Sequence, residues 1–414
     1  MIRTKTLLAI SSLTLGSLVA CSSPSDTARG ESAQGSIGRV AQRVIAGKNS
    51  TAAQDAVVLL VHYDPRVGVG QCTGTLLSPR LVLTARHCVA ETDEAAACDV
   101  DGTPLAEGEI RANHKAETLY VFTGATRPDF GRSRDITPAG IGAQILDDGG
   151  KNLCNHDIAL VLLKEPIKDA MIASIRLDGD VTKGDKLTAV GWGVTDSSPF
   201  PDVRQQRSGI PILGVGPDDS ERLPVPPNEF EVGESICSGD SGGPAFNEQT
   251  GAIVGIVSRG GNNKKPSAND PAAGCIGGTN LYTKISPFKE LIMKGYELAE
   301  ADPWVEGGAD PRLLKPGSAC NEGSECRSAQ CLADPSKSGA TTCAADCSAE
   351  GSTCPDGEKC TSVGEARVCR APSDPGTTTT TTGCAAAPSN NGSNAALALG
   401  LVGLGLVAAR RRRR

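Results

Sequence analysis

Aromatic side chains are scarce in this sequence: 6 Phe, 4 Tyr and 2 Trp amount to 3% of 414 residues, and only 3 Met and 4 His stand beside them. With 49 Gly and so few large apolar groups, a long amphipathic helical bundle is excluded, and short strands joined by many turns are expected. A cation excess is missing as well. Setting aside Arg3, Lys5 and the five terminal arginines leaves 34 of the 41 Lys and Arg against 48 Asp and Glu. So acidic a body has no surplus cations to displace phosphate counterions, which excludes nucleic acid as a general partner. No apolar run reaches the ~20 residues that a spanning helix prefers. Cysteine, by contrast, is abundant. Its 16 copies are too many for an ordinary cytosolic enzyme, in a chain too long for one disulfide mini-protein, and point to an oxidising compartment.

Both ends carry sorting features. Arg3 and Lys5 precede an apolar stretch at 7–20, which reads as a secretory signal peptide over 1–20. It ends Leu18-Val19-Ala20-Cys21, which resembles a bacterial lipobox, where the thiol of Cys21 carries the lipid; simple cleavage beside an incidental Cys is the other reading. Further on, a Thr-rich stalk at 371–383 leads to Gly383-Cys384, a polar spacer, an apolar run at 395–409 and five Arg. This resembles the myxobacterial C-terminal sorting segment, and the resemblance makes Cys384 the processing and anchoring position of a segment at 384–414. An ordinary membrane anchor with a positive flank is the alternative. Either reading places the protein at the cell envelope or outer surface, in membrane contact through its terminal anchors and open to release by proteolysis.

The remaining fourteen cysteines divide into six between Cys72 and Cys275 and eight between Cys320 and Cys369. Two even sets imply two separately cross-linked domains, with a polar, Pro-containing linker at 303–317. The second set lies in a module at 318–370 that is nearly devoid of large apolar residues, so disulfides must hold it together. Eight cysteines allow 105 pairings, and the connectivity stays open. Without His, in an exported chain, this module reads as a structural spacer or protein-binding element rather than a metal site.

Between them, apolar runs rich in β-branched residues recur at 56–62, 74–77, 81–84, 119–122, 158–163, 186–190, 252–258 and 280–284, separated by turn residues. They predict an antiparallel all-β domain, with one helix near its end where Phe288, Leu291, Ile292, Gly295 and Leu298 fall at three- and four-residue spacings. Roughly 255 residues suffice for two packed barrels.

Three short sequences carry candidate chemistry: Thr84-Ala85-Arg86-His87-Cys88, Asn155-His156-Asp157-Ile158-Ala159-Leu160 and Gly239-Asp240-Ser241-Gly242-Gly243-Pro244. Taken singly they read as a core histidine, a turn cap and a tight turn. In the order His, Asp, Ser, after Arg43-Val44-Ile45-Ala46-Gly47, they resemble the chymotrypsin-like (trypsin-like) serine protease family over about residues 44–298, in a domain at 44–302. The resemblance implies two packed antiparallel six-stranded β-barrels with a C-terminal helix, ahead of the small disulfide-rich module. It also implies endopeptidase activity on protein or peptide substrates, without a cofactor or metal.

The roles follow residue by residue. A Ser hydroxyl is a weak nucleophile and needs a base that titrates near the working pH. His87 is that base, Asp157 fixes its tautomer, Ser241 attacks, and the amides of Gly239 and Ser241 form the oxyanion hole. Ser258 supports Asp157, and the backbone from Ser258 to Gly260 pairs with an extended substrate. Cleavage of Arg43-Val44 after a propeptide at 21–43 frees an ammonium that pairs with Asp240; a chance Arg in a linker is the other reading. The family's disulfides join Cys72 to Cys88 and Cys237 to Cys275, which leaves Cys98 with Cys154 to anchor a long acidic segment at 91–116 beside Asp157. Asp99 and Asp101 in that segment lack the spacing of a calcium loop and read as solvated surface. At the specificity pocket Ser235 stands where Lys/Arg-cleaving members have Asp, and Ile236 and Asn280 narrow the space. This predicts cleavage after small or medium apolar residues, and hence a separate activating protease for Arg43. Arg259 replaces the family's usual Trp. A non-catalytic surface binding or adhesion protein on a protease fold is the competing reading.

Overall fold

A computed structural model of the chain describes residues 47–370 apart from 66–67, 94, 131–135, 196–197, 220–222, 335–336, 350, 356 and 365. The signal peptide, Cys21, the propeptide, the Arg43-Val44 bond, the Thr-rich stalk and the Cys384 segment lie outside the described residues. The first compact unit ends at Gly308 and the second begins at Ala309.

The first unit contains the two expected six-stranded antiparallel barrels. The first is built from β1 (Val57–Asp64), β2 (Gly68–Ser78), β3 (Leu81–Thr84), β4 (Leu119–Phe122), β5 (Gly140–Leu146) and β6 (Ala159–Leu163), and it closes where β4 pairs with β5. The second uses β7 (Lys186–Gly191), β8 (Gln205–Val215), β9 (Glu229–Val232), β10 (Pro244–Asn247), β11 (Ile253–Gly261) and β12 (Thr279–Lys284), and β8 pairing with β9 closes it. Closure pairs the two strands that would otherwise be the edges of each barrel, so neither barrel is an open sheet.

Strand β1 shows why the apolar runs are continuous rather than alternating: residues 57–62 are buried throughout. Successive side chains point to opposite faces, and here both faces are covered. Val58 and Leu60 enter the core of the first barrel with Leu83 and Val121, while Leu59 and Val61 pack against Phe122 and Trp192. Leu187, Ile210, Phe230, Val254 and Tyr282 form a separate core in the second barrel. Every strand expected from an apolar run is present. Strands β5, β8, β9 and β10 were not expected, because polar residues interrupt them; Gln205 and Gln206 of β8 are themselves buried.

Helix α1 (Lys289–Leu298) buries Ile292, Gly295 and Tyr296. A Cβ at Gly295 would sit 2.6 Å from Leu160 Cδ1 and 3.1 Å from Leu81 Cδ2, so glycine lets the helix lie directly on β3 and β6. After α1 the chain returns to Ile175, whose amide donates to Trp304 O at 2.9 Å, and Arg176 forms a two-pronged ion pair with Glu306.

The second unit is an internal duplication. Disulfides join Cys320 to Cys331, Cys326 to Cys343, Cys347 to Cys360 and Cys354 to Cys369, so each half has the same crossed first-to-third, second-to-fourth connectivity. Each half ends in a hairpin, β13 (Cys331–Ala333) with β14 (Thr341–Cys343) and β15 (Lys359–Val363) with β16 (Ala366–Arg370). The residue before the first Cys bridges the residue before the last one in both halves: Ala319 to Thr342 and Asp346 to Val368. The sequence repeats too, with Glu322-Gly323-Ser324 before Cys326 and Glu350-Gly351-Ser352 before Cys354.

Replacing Gly295 by Val should cost about 1–3 kcal/mol through overpacking against Leu81 and Leu160. A denaturant midpoint lowered with the slope unchanged is the expected result.

Candidate active site

Three turns carry the candidate triad, and the connections between them fix their approach. His87 lies in a single 3₁₀ turn (Arg86–Cys88) directly after β3, and a disulfide from Cys88 to Cys72 ties that turn to β2. Asp157 directly precedes Ile158 and β6, after Asn155 turns the chain at φ +69°. Ser241 sits in a tight turn before β10. Gly242 in that turn has φ +75°, and a Cβ there would lie 2.2 Å from Thr84 Oγ1 and 2.7 Å from Ala85 N. Only glycine permits the serine turn to approach the strand that leads to His87 so closely. Two bonds from the first barrel hold the turn: Thr73 N donates to Ser241 O and Thr73 Oγ1 to Gly239 O, each at 2.9 Å.

Asp157 is fully buried, and its carboxylate is ringed by donors. His87 Nδ1 lies 2.9 Å from Oδ2 and 3.1 Å from Oδ1, His87 N donates to Oδ1 at 3.1 Å, and Ser258 Oγ donates to Oδ2 at 2.6 Å. Burial alone would raise the carboxyl's proton affinity, but the His87 charge and these bonds outweigh it and hold Asp157 below the ordinary carboxylate range. For His87 burial disfavours the imidazolium, whereas the Asp157 charge and bond favour it and win, leaving the imidazole above its ordinary value; Arg259 pulls the other way. An Nδ1–H facing a carboxylate leaves Nε2 as the basic nitrogen.

Both residues and Ser241 line one cavity of about 310 Å³. Gly239 has φ +97°, and a Cβ there would lie 3.0 Å from Gly193 Cα. The amides of Asp240, Gly242 and Gly243 all donate to backbone carbonyls, while among the described residues no backbone carbonyl accepts from the amides of Gly239 or Ser241. Asp240 is buried beneath this turn, where Gly193 N and Cys237 N donate to its two oxygens at 2.7 and 2.9 Å. Gly191 and Gly193 make the room, since a Cβ on either would strike its carboxylate. Burial pushes Asp240 up to about 7 despite those two amides.

The cavity wall is formed by Ile236, the Cys237–Cys275 disulfide and the backbone from Ser258 to Gly260, with Asn280 also lining it. Ser235 is fully buried and is not among the lining residues; its hydroxyl lies 3.3 Å from Tyr282 Oη and accepts from Asn280 Nδ2 at 3.4 Å. Asn280 is anchored to Gly233 O at 2.9 Å, and its Oδ1 would be 2.4 Å from a Cβ at Gly260. Thr92, Asp93, Ala95 and Ala96 of the acidic segment line the same cavity, on a segment pinned by the Cys98–Cys154 disulfide.

Two features escaped the sequence. Glu229, wholly buried on β9, forms a two-pronged ion pair with Arg259. Arg127 donates to Trp192 O at 2.8 Å and to Gln71 Oε1, and stacks over the Trp192 ring. An Arg in place of the usual Trp at 259 was the available signal for the first, since a half-buried guanidinium demands a counter-ion.

The family model described as Trypsin matches residues 45–292. The chain is 28% identical over 230 residues to brachyurin of Leptuca pugilator, spanning 53% of this chain and 85% of that protein. It is 27% identical over 239 residues to a trypsin of Phaedon cochleariae (55% and 79%), and 26% identical over 228 residues to chymotrypsin-2 of Vespa crabro (54% and 88%).

Asp240 gives a pH test that needs no activity. Its folded value of about 7 lies above the ordinary 3.8, so its stabilisation is complete below 3.8 and is lost as pH rises through 7. Uncleaved protein, protected by Arg43→Gln, should therefore melt at a lower temperature at pH 8 than at pH 5, and Asp240→Asn should flatten that slope. An identical slope in the two proteins would contradict the buried carboxyl's raised proton affinity.

Proposed function

The chain belongs to the trypsin family of serine endopeptidases, and we propose that it hydrolyses peptide bonds through His87, Asp157 and Ser241 after cleavage of a precursor at Arg43-Val44. The observation that carries the reading is the buried Asp157 carboxylate bonded to His87 Nδ1 at 2.9 Å, in a cavity shared with Ser241.

In this mechanism the Ser241 Oγ–C bond forms at the scissile carbonyl as His87 Nε2 takes the hydroxyl proton. Asp157 stabilises the imidazolium without taking its proton. The carbonyl oxygen gains negative charge beside the amides of Gly239 and Ser241, where each preorganised donor is worth ~10²- to 10³-fold in rate. The C–N bond then breaks, His87 protonates the departing amine, and water repeats the sequence on the acyl-enzyme to release the acid and restore Ser241.

Cleavage after Arg43 creates an ammonium at Val44 for the buried Asp240 carboxylate, pairing a costly buried charge that two backbone amides only partly compensate. For the residue before the scissile bond, support comes from Asn280, which lines the pocket and is held by Gly233 O and by the buried hydroxyl of Ser235, a residue that supplies no carboxylate there. A small or medium apolar side chain fits that floor and a Lys or Arg does not, so Arg43 is cleaved by a separate trypsin-like protease. Disulfides throughout both units match secretion into oxidising surroundings. Attachment at the surface through Cys384, across the 303–317 linker and the 318–370 spacer, or through Cys21 until Arg43-Val44 is cleaved, completes the proposal.

A fluorophosphonate probe tests the chemistry. Labelling is expected only after Arg43-Val44 cleavage and is lost in Ser241→Ala; no labelling of folded, correctly cleaved protein would move the reading to a non-catalytic binding protein. Asp157→Asn should lower kcat by about 10⁴-fold with the fold intact, because the imidazole tautomer is no longer imposed. Opening the pocket with Asn280→Gly should raise kcat/KM for substrates with a large apolar residue before the bond by about tenfold or more. An unchanged preference would remove Asn280 as the pocket floor.

A further inference from the structure

The Arg259–Glu229 pair lies next to the catalytic groups but belongs to none of the roles above. Glu229 on β9 has no solvent exposure, and its oxygens accept from Arg259 Nη1 at 2.9 Å and Nη2 at 2.7 Å, with Asn155 N adding a third bond at 3.1 Å. Asn155 begins the turn that presents Asp157. The same guanidinium reaches two further groups: Nη1 lies 3.3 Å from Ser258 Oγ, and Nη2 lies 3.1 Å from the sulfur of Cys98, which is bonded to Cys154 beside that turn. One planar cation thus joins β11, β9, the Asp157 turn and the acidic segment.

A hydroxyl has one proton to donate and lone pairs to accept with. Ser258 accepts from Arg259 and donates to Asp157 Oδ2 at 2.6 Å, so the guanidinium leaves the hydroxyl hydrogen one favoured direction. We infer that Arg259 is a positioning residue for catalysis: anchored by Glu229, it orients Ser258 on Asp157 and sets a fixed positive charge beside His87. The inference rests on the endopeptidase reading of Ser241, His87 and Asp157.

The charge arithmetic has a definite sign. His87 faces Asp157 from the turn before β6 and Arg259 from β11; Asp93 of the acidic segment lines the same cavity, and Glu229 stands behind Arg259. Asp157 favours the imidazolium and Arg259 disfavours it. The general base must be neutral to accept the serine proton, so Arg259 extends activity to lower pH than Asp157 alone would permit.

Removing Arg259 alone would strand a buried carboxylate, so the informative variant is Arg259→Gln with Glu229→Gln, alongside Arg259→Lys in otherwise intact, cleaved protein. The readouts are kcat/KM against pH with an amide substrate, and active-site titration with the fluorophosphonate probe. In the double variant the acid limb should move up by roughly 0.5–1 pH unit, a loss of about 3- to 10-fold on that limb that the alkaline plateau does not share. Arg259→Lys keeps the charge and should keep the limb, with a lower melting temperature from losing the two-pronged bond. An unmoved limb in a double variant that still titrates fully would overturn the inference, as would an equal displacement in Arg259→Lys. Failure of the wild-type enzyme to label at Ser241 would instead overturn the endopeptidase reading, and this role with it.

Discussion

The fully buried carboxylate of Asp157 is the constraint around which the site is arranged. An ionised group cut off from water is tolerable only when donors replace its hydration, and here the donors come from different parts of the chain: the ring and amide of His87 after β3, and the hydroxyl of Ser258 on β11. Thr283 Oγ1 on β12 adds a bond to the Asp157 carbonyl at 3.0 Å. Satisfying this carboxylate therefore requires both barrels to meet along one line, and that line is the cleft. The Arg259–Glu229 pair extends the same logic outward, compensating a second buried acid with a cation that also touches the first acid's donor.

A second buried acid, Asp240, sits on the other side of Ser241 under different terms. Two backbone amides face it, and glycines at 191 and 193 leave it the space. One carboxylate is thus compensated fully within the described chain and the other only in part. In the proposed precursor that difference is what a new ammonium at Val44 would remove.

The two barrels were legible where strands are buried on both faces, because continuous apolar runs such as 57–62 and Leu81–Thr84 leave a plain trace. Strand β8 left none: Gln205 and Gln206 are buried in spite of their polarity, and Pro211 interrupts the run, so its place is set by pairing with β7 and β9. At the site, His87, Asp157 and Ser241 stood out through their neighbours, whereas Glu229 did not, since a single acid in a short strand looks like a solvent-facing position until its partner is known. The duplication in the second unit was written in the repeated Glu-Gly-Ser before Cys326 and Cys354, but unequal cysteine spacings in the two halves hid it until the crossed disulfides and matching bridges appeared together.

The central claim is that buried Asp157 dictates which nitrogen of His87 carries the proton. Nitrogen-15 NMR of the cleaved protein with labelled histidine, at a pH where His87 is neutral, tests it most directly. The account predicts a protonated Nδ1 and a bare Nε2 for His87 in the wild type, with the preference lost in Asp157→Asn. A neutral His87 with its proton on Nε2 in the wild type would contradict the account, because the base would then face Ser241 with no lone pair to accept its proton.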